Sequence, residues 1–108
     1  HLCGNLQHFI GKELGSTGYI RDREGEFSHS PCTKTELLEE ISITRAALRE
    51  TLGSLAPERM DAPMPNPPPH HKGATVGFFL VQLSCHLSRH LGQLNYLRRV
   101  ITRHRSIE

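Results

Sequence analysis

Residues 75–103 read TVGFFLVQLSCHLSRHLGQLNYLRRVITR. Phe79, Leu83, Leu94, Leu97 and Ile101 fall on one side of a helix with about 3.6 residues per turn. Leu80, Leu87 and Leu91 widen that side, while Asn95, Arg99 and Arg103 point elsewhere. Thr75 stands where a helix wants its first side-chain cap. The spacing predicts one long helix over roughly Thr75 to Arg103. Two imidazoles, His86 and His90, lie within its apolar stripe.

That pair decides the chemical reading. Residues four apart share a helix face, so both rings can reach one ion at about 2.0–2.1 Å. Burying two imidazoles is costly unless their polar atoms are satisfied, and a divalent metal satisfies them. The competing reading is a pair of hydrogen-bonded core histidines. A zinc-protease motif would carry Glu directly after the first His. Here that residue is Leu87, and no clear general base stands elsewhere.

A third ligand must come from another segment. The chain has eight histidines, unusually many for its length. His1 and His8, seven apart, share a face of the first segment, and spacing leaves both open. His70 and His71 are expected to be solvated, and His29 and His104 to lie on the surface. Gln93, one turn beyond His90, and Asn5, one turn beyond His1, are the expected hydrogen-bond partners behind the ligands. Cys85 points about 100° away from His86 and reads as a packed small residue. Cys3 reads as core.

The remaining segments give an all-α pattern. From His1 to about Leu14, Leu2, Leu6, Phe9 and Ile10 recur at helical spacing, and Gly15 and Gly18 end the run. Gly4 and Gly11 weaken this helix but allow a neighbour to approach closely. Ser16 to Pro31 reads as a loop around Arg21-Asp22-Arg23-Glu24-Gly25-Glu26-Phe27. Its charges suit an ion-pair network, and Phe27 suits an anchor into the core. Thr33 and Glu36 form a capping box. The helix that follows, ending near Ser54, has Leu37, Ile41, Leu48, Leu52 and Leu55 as its stripe. Residues 57–72 hold six of the seven prolines and read as an extended connection.

Composition narrows the class. The chain has 108 residues, no Trp and a formal net charge of +2, which suits a single domain over residues 1–108. The small charge gives no case for nucleic acid, and the C-terminal arginines read as a solvated helix end. No apolar run approaches the ~20 residues of a membrane span. The start lacks the order of a signal peptide, and the end matches no lipidation signal. Three cysteines without close pairing read as reduced thiols. These features together predict a soluble cytoplasmic protein. His1 sits inside a running helical pattern with no cap before it, so the chain is expected to begin partway through a longer protein. Apolar surface left without an upstream helix favours self-association as a homodimer.

Three ordered motifs carry a resemblance: His1-Leu2-x-Gly4-Asn5-Leu6, then Arg21-Asp22-Arg23-Glu24-x-Glu26-Phe27, then His86-Leu87-x-x-His90-x-x-Gln93. Together they resemble the DinB/YfiT-like superfamily, closest to an uncharacterised bacterial branch. The resemblance implies an up-and-down four-helix bundle, here lacking its first helix. It implies one divalent ion held by three histidines, carried over as His1, His86 and His90. His8 has no counterpart in the motif. Several relatives are thiol S-transferases or isomerases using bacillithiol or mycothiol, and many are homodimers. The resemblance therefore implies a metal-dependent enzyme, with a low-molecular-weight thiol such as bacillithiol and a small electrophile as substrates. Arg21, Arg23 and Arg89 are the candidates for holding an anionic substrate. Imidazole ligands suit zinc or nickel, with iron as an alternative. A metal-binding or structural dimeric module without turnover is the alternative function.

Overall fold

The computed structural model describes residues 1–28 and 31–105. Helix α1 spans Leu2–Leu6 and runs without a break into a π-helical segment, Gln7–Lys12. Helix α2 is one turn, Arg23–Glu26, α3 spans Lys34–Ser54, and α4 spans Val76–Arg105. The described residues hold no strand beyond a single bridge between Pro63 and Thr75. The fold is a helical bundle in which α1 and its π continuation pack against both α3 and α4. None of these helices is long and apolar enough to cross a membrane.

Helix α4 begins as its sequence predicts. The Thr75 hydroxyl accepts from the Phe78 N–H at 3.2 Å. Val76, Phe79 and Leu83 are buried, and Leu80 and Leu87 pack beside them. Beyond His90 the expected stripe is out in solvent: Leu94, Leu97 and Ile101 are exposed. The reason is length. Thirty residues of helix run about 45 Å, and the short segment of residues 2–12 covers only the first half.

The first segment supplies Leu6, Phe9, Ile10 and Leu14 to the core. The expected helix is there, but its second half is π rather than α. The Glu13 N–H reaches back five residues to the His8 carbonyl at 3.1 Å, and the Gly15 N–H does the same to Ile10 at 3.0 Å. Its end also differs from expectation. Ser16, with φ of 53°, takes the left-handed turn, followed by Gly18 at 74°. Gly15 serves instead as a close-approach site, because a Cβ there would run into the Thr51 hydroxyl.

Helix α3 opens on the expected box. Thr33 Oγ1 accepts from the Glu36 N–H at 3.1 Å, and the Glu36 carboxylate accepts from the Thr33 N–H at 2.7 Å. Its buried face is rotated from the expected stripe. Leu37, Ile41 and Leu52 are exposed, and the inward line is Thr44, Leu48, Thr51 and Leu55. Threonine can line a core cheaply because its hydroxyl bonds to its own helix. Thr44 Oγ1 donates to the Glu40 carbonyl at 2.8 Å and accepts from Gln7 Nε2 at 3.1 Å.

The two connections depart from a plain loop reading. The charged run contains α2, capped by Asp22 Oδ1 accepting from the Gly25 N–H at 3.0 Å. Phe27 is exposed rather than anchored in the core. The Pro-rich connection contains two 3-10 turns, Pro57–Asp61 and Pro69–His71. Proline can begin such a turn, where its missing N–H is not needed. Buried Met64 pins the connection down, and the Met64 N–H to Ala74 and Val76 N–H to Ala62 bonds, each 2.9 Å, clip it to the start of α4. All three cysteines are free. Cys3 is half-buried, and Cys85 is exposed rather than packed.

Candidate metal centre

His86 and His90 lie one turn apart on α4, and His1 immediately precedes α1, which crosses it. All three rings meet at the mouth of the bundle. The His86 Nε2 atom is 3.3 Å from His1 Nε2 and 3.1 Å from His90 Nε2. One nitrogen from each residue lies within 4.8 Å of the others. In a tetrahedral site with bonds of about 2.0–2.1 Å, neighbouring ligand nitrogens sit about 3.3 Å apart. The observed separations match that edge.

Proton counting supports the same fit. The His1 Nδ1–H donates to Glu26 Oε1 at 3.0 Å. A neutral imidazole has one ring N–H and one ring lone pair, so His1 Nε2 presents a lone pair. His86 Nε2 then faces two neighbours, and no neutral arrangement satisfies both contacts with ordinary two-centre hydrogen bonds. A cation among the three nitrogens does. The His86 pKa is lowered, first by burial and then by the charges of His90, Arg89 and Arg21. That shift favours the neutral, ligating form.

Glu26 is the residue that sequence reasoning missed. It was folded into a general ion-pair network, whereas it joins two partners at once. Arg21 Nε donates to Glu26 Oε2 at 2.7 Å and Arg21 Nη2 to Oε1 at 2.8 Å. Burial works to raise the Glu26 carboxyl, but the Arg21 hydrogen bonds and charge outweigh it, so its pKa is lowered. The Phe27 ring packs against His1 at a 40° tilt with centroids 4.8 Å apart, and the Arg23 guanidinium lies 5.6 Å above Phe27.

The other expected site residues divide. Asn5 is buried on the wall of the cleft before the histidines, with no hydrogen bond to them and an Oδ1 unpartnered among the described residues. Gln93 is exposed and has no hydrogen bond to the three rings among the described residues. It sits on the half of α4 that the first segment does not cover. His8 lines the cleft but stands outside the cluster, with its Nε2 4.0 Å from Glu13. Its pKa is lowered, chiefly by burial. Arg21 is committed to Glu26, whereas Arg23 and Arg89 stand on the cleft wall. His71, expected to be solvated, packs on Phe79 at 5.5 Å. His29 and the side chain of His104 lie outside the described residues.

The family model described as the DinB superfamily matches residues 2–94. The chain belongs to the DinB superfamily. The match takes in His86 and His90 and begins one residue after His1. No curated protein and no solved structure matches the chain. A helical bundle is the DinB architecture, and the three-histidine cluster at its mouth is compatible with metal binding.

The cleft itself is broad, about 740 Å³. Three arginines and six histidines line it, alongside Phe9, Phe27 and Phe79, and no carboxylate is among its lining residues. Such a wall favours a ligand with both apolar and anionic parts.

Proposed function

We propose that this DinB-superfamily chain is a divalent-metal-dependent enzyme whose ion is held by His1, His86 and His90. We further propose that it transfers a low-molecular-weight thiol to a small electrophile, as a homodimer. The observation that carries the reading is that His86 Nε2 lies at tetrahedral-edge spacing from both His1 Nε2 and His90 Nε2, with one nitrogen of each ring within 4.8 Å of the others. Three neutral ligands leave a coordination position free in a four-coordinate site. A bound divalent ion would supply positive charge that lowers the pKa of a thiol held against it. Zinc or nickel suits an all-imidazole donor set, with iron the alternative.

The chain's own residues would do the rest. His86, kept neutral by burial and neighbouring cations, offers its lone pair. Arg89 has no ion-pair or hydrogen-bond partner among the described residues, so it is free to take a substrate carboxylate at the rim. Arg23 is a second candidate from the other wall. Phe9 and Phe79, packed edge-to-face at 5.0 Å, give the cleft a floor that excludes water.

The test is metal content by mass spectrometry, followed by turnover. Purified protein should carry near one ion per chain, and a His86→Ala/His90→Ala double variant should carry none. Consumption of a thiol with an electrophile should require both the metal and His90. A wild-type protein that stays metal-free after reconstitution with zinc and nickel would make the histidines structural. Metal binding without any thiol turnover would leave a metal-binding module.

A further inference from the structure

Glu26 and Phe27 contact the His1 ring, and Arg21 and Arg23 of the same turn back them. Glu26 Oε1 accepts from His1 Nδ1, and the Arg21 guanidinium grips both Glu26 oxygens. Phe27 packs at a tilt against the imidazole, and Arg23 lies over Phe27. Glu26 reaches this position only because residue 4 has no side chain. A Cβ on Gly4 would collide with the Glu26 carboxylate. His1 therefore differs from His86 and His90, which a rigid turn of α4 places without help.

We propose that Glu26 is a positioning residue for His1, with Arg21 holding Glu26 and Gly4 giving it room. The proposal rests on the three-histidine metal reading and adds a residue-level cause for the third ligand's readiness. A carboxylate on Nδ1 fixes the tautomer that leaves Nε2 free and makes that nitrogen more basic. Without it, His1 can turn its lone pair away or carry its proton on Nε2, where it would block the ion. The Arg21 guanidinium does a second job. It balances the charge of Glu26, so the carboxylate aims the ring without drawing the cation toward itself.

The test combines a metal-free readout with a metal readout. The first is the tautomer of His1 by nitrogen-detected NMR on metal-free protein. The second is affinity for zinc by competition with a chromophoric chelator. Wild type should show His1 with its proton on Nδ1. Glu26→Ala should lose that fixed tautomer and weaken zinc binding about 10–100-fold. Glu26→Gln keeps an oxygen acceptor and should recover most of both. Gly4→Ala improves helix propensity, so it should not weaken α1 directly. It should nonetheless mimic Glu26→Ala by displacing the carboxylate. Arg21→Met should fall between wild type and Glu26→Ala.

A Glu26→Ala protein with an unchanged His1 tautomer and zinc affinity within about twofold of wild type would overturn the proposal. So would an equal loss in Glu26→Ala and Glu26→Gln with the tautomer still fixed. If no variant binds zinc, the NMR arm alone decides, which separates failure of this proposal from failure of the metal reading. If Glu26→Ala does not fold by circular dichroism, Glu26→Gln and Gly4→Ala carry the comparison.

Discussion

His1 and His86 are 85 residues apart in sequence, yet their Nε2 atoms are 3.3 Å apart. His86 is also 3.1 Å from His90, so it is the hub of the cluster. Removing the hub separates the two remaining nitrogens from their shared neighbour. We expect His86→Ala to weaken zinc binding by more than about 100-fold, beyond the loss typical of an outer partner. His8→Ala, outside the cluster, should bind zinc like wild type. Chelator competition on the two variants checks this, and a loss in His8→Ala would reassign the third ligand.

A ligand that binds only the folded state stabilises it by an amount that rises with the logarithm of free ligand over its dissociation constant. With free zinc at about 100 times its dissociation constant, the gain is about 2.7 kcal/mol. Thermal melting with zinc, and again after a chelator, should show the midpoint rise and fall. The His86→Ala/His90→Ala variant should melt at one temperature under both conditions.

Gly15, in the turn just after the π segment, faces Thr51 of α3, where a Cβ would strike the Thr51 hydroxyl and approach the Gly11 carbonyl. Gly15→Ala should cost about 1–3 kcal/mol, the usual range for overpacking. Urea denaturation measures it. Part of the loss should return in Gly15→Ala/Thr51→Ser, which removes a methyl but keeps the hydroxyl, and more in Gly15→Ala/Thr51→Ala.

The capping box of α3 makes stability pH-dependent. Hydrogen bonds from the Thr33 backbone and side chain hold the Glu36 carboxyl below its usual pKa. The folded state therefore favours the ionised carboxylate. Its contribution is fully present above the unfolded carboxyl pKa and is lost as pH falls through the lowered folded value. Glu36→Gln should flatten stability against pH in that acid window and leave the neutral-to-alkaline slope unchanged. Thr33→Ala should cost about 1 kcal/mol at neutral pH by urea denaturation.

Leu94, Leu97 and Ile101 leave an apolar strip on the outer half of α4. Light scattering after gel filtration should give twice the chain mass, and Leu97→Glu should halve it. A monomeric wild-type protein would sink the dimer reading.

Much of this was legible in the chain because local rules govern it. The Thr33–Glu36 box, the Thr75 cap and the length of α4 follow from contacts within a few residues. The shared face of His86 and His90 is a consequence of helical periodicity alone. Even the close-approach role of a glycine could be anticipated, although not which partner each would meet. Read from hydropathy alone, α3 is rotated from its true orientation, although Leu48 and Leu55 of the expected stripe do face the core. Its Leu37–Ile41–Leu52 face is in solvent, because the groove of the first segment accepts Thr44 and Thr51 instead.

The sequence by itself determined the helices, their capped starts and a pair of imidazoles aimed to one side. Only the tertiary structure decided what joins that pair. It brought His1 rather than His8 against the pair, as the motif resemblance but not the spacing had implied, put Glu26 on His1 Nδ1 and left Gln93 in solvent. The physical reason is that the geometry of the histidine cluster depends on where α1 and the Arg21–Phe27 turn meet α4. That crossing is set by packing between distant segments, which no local periodicity records.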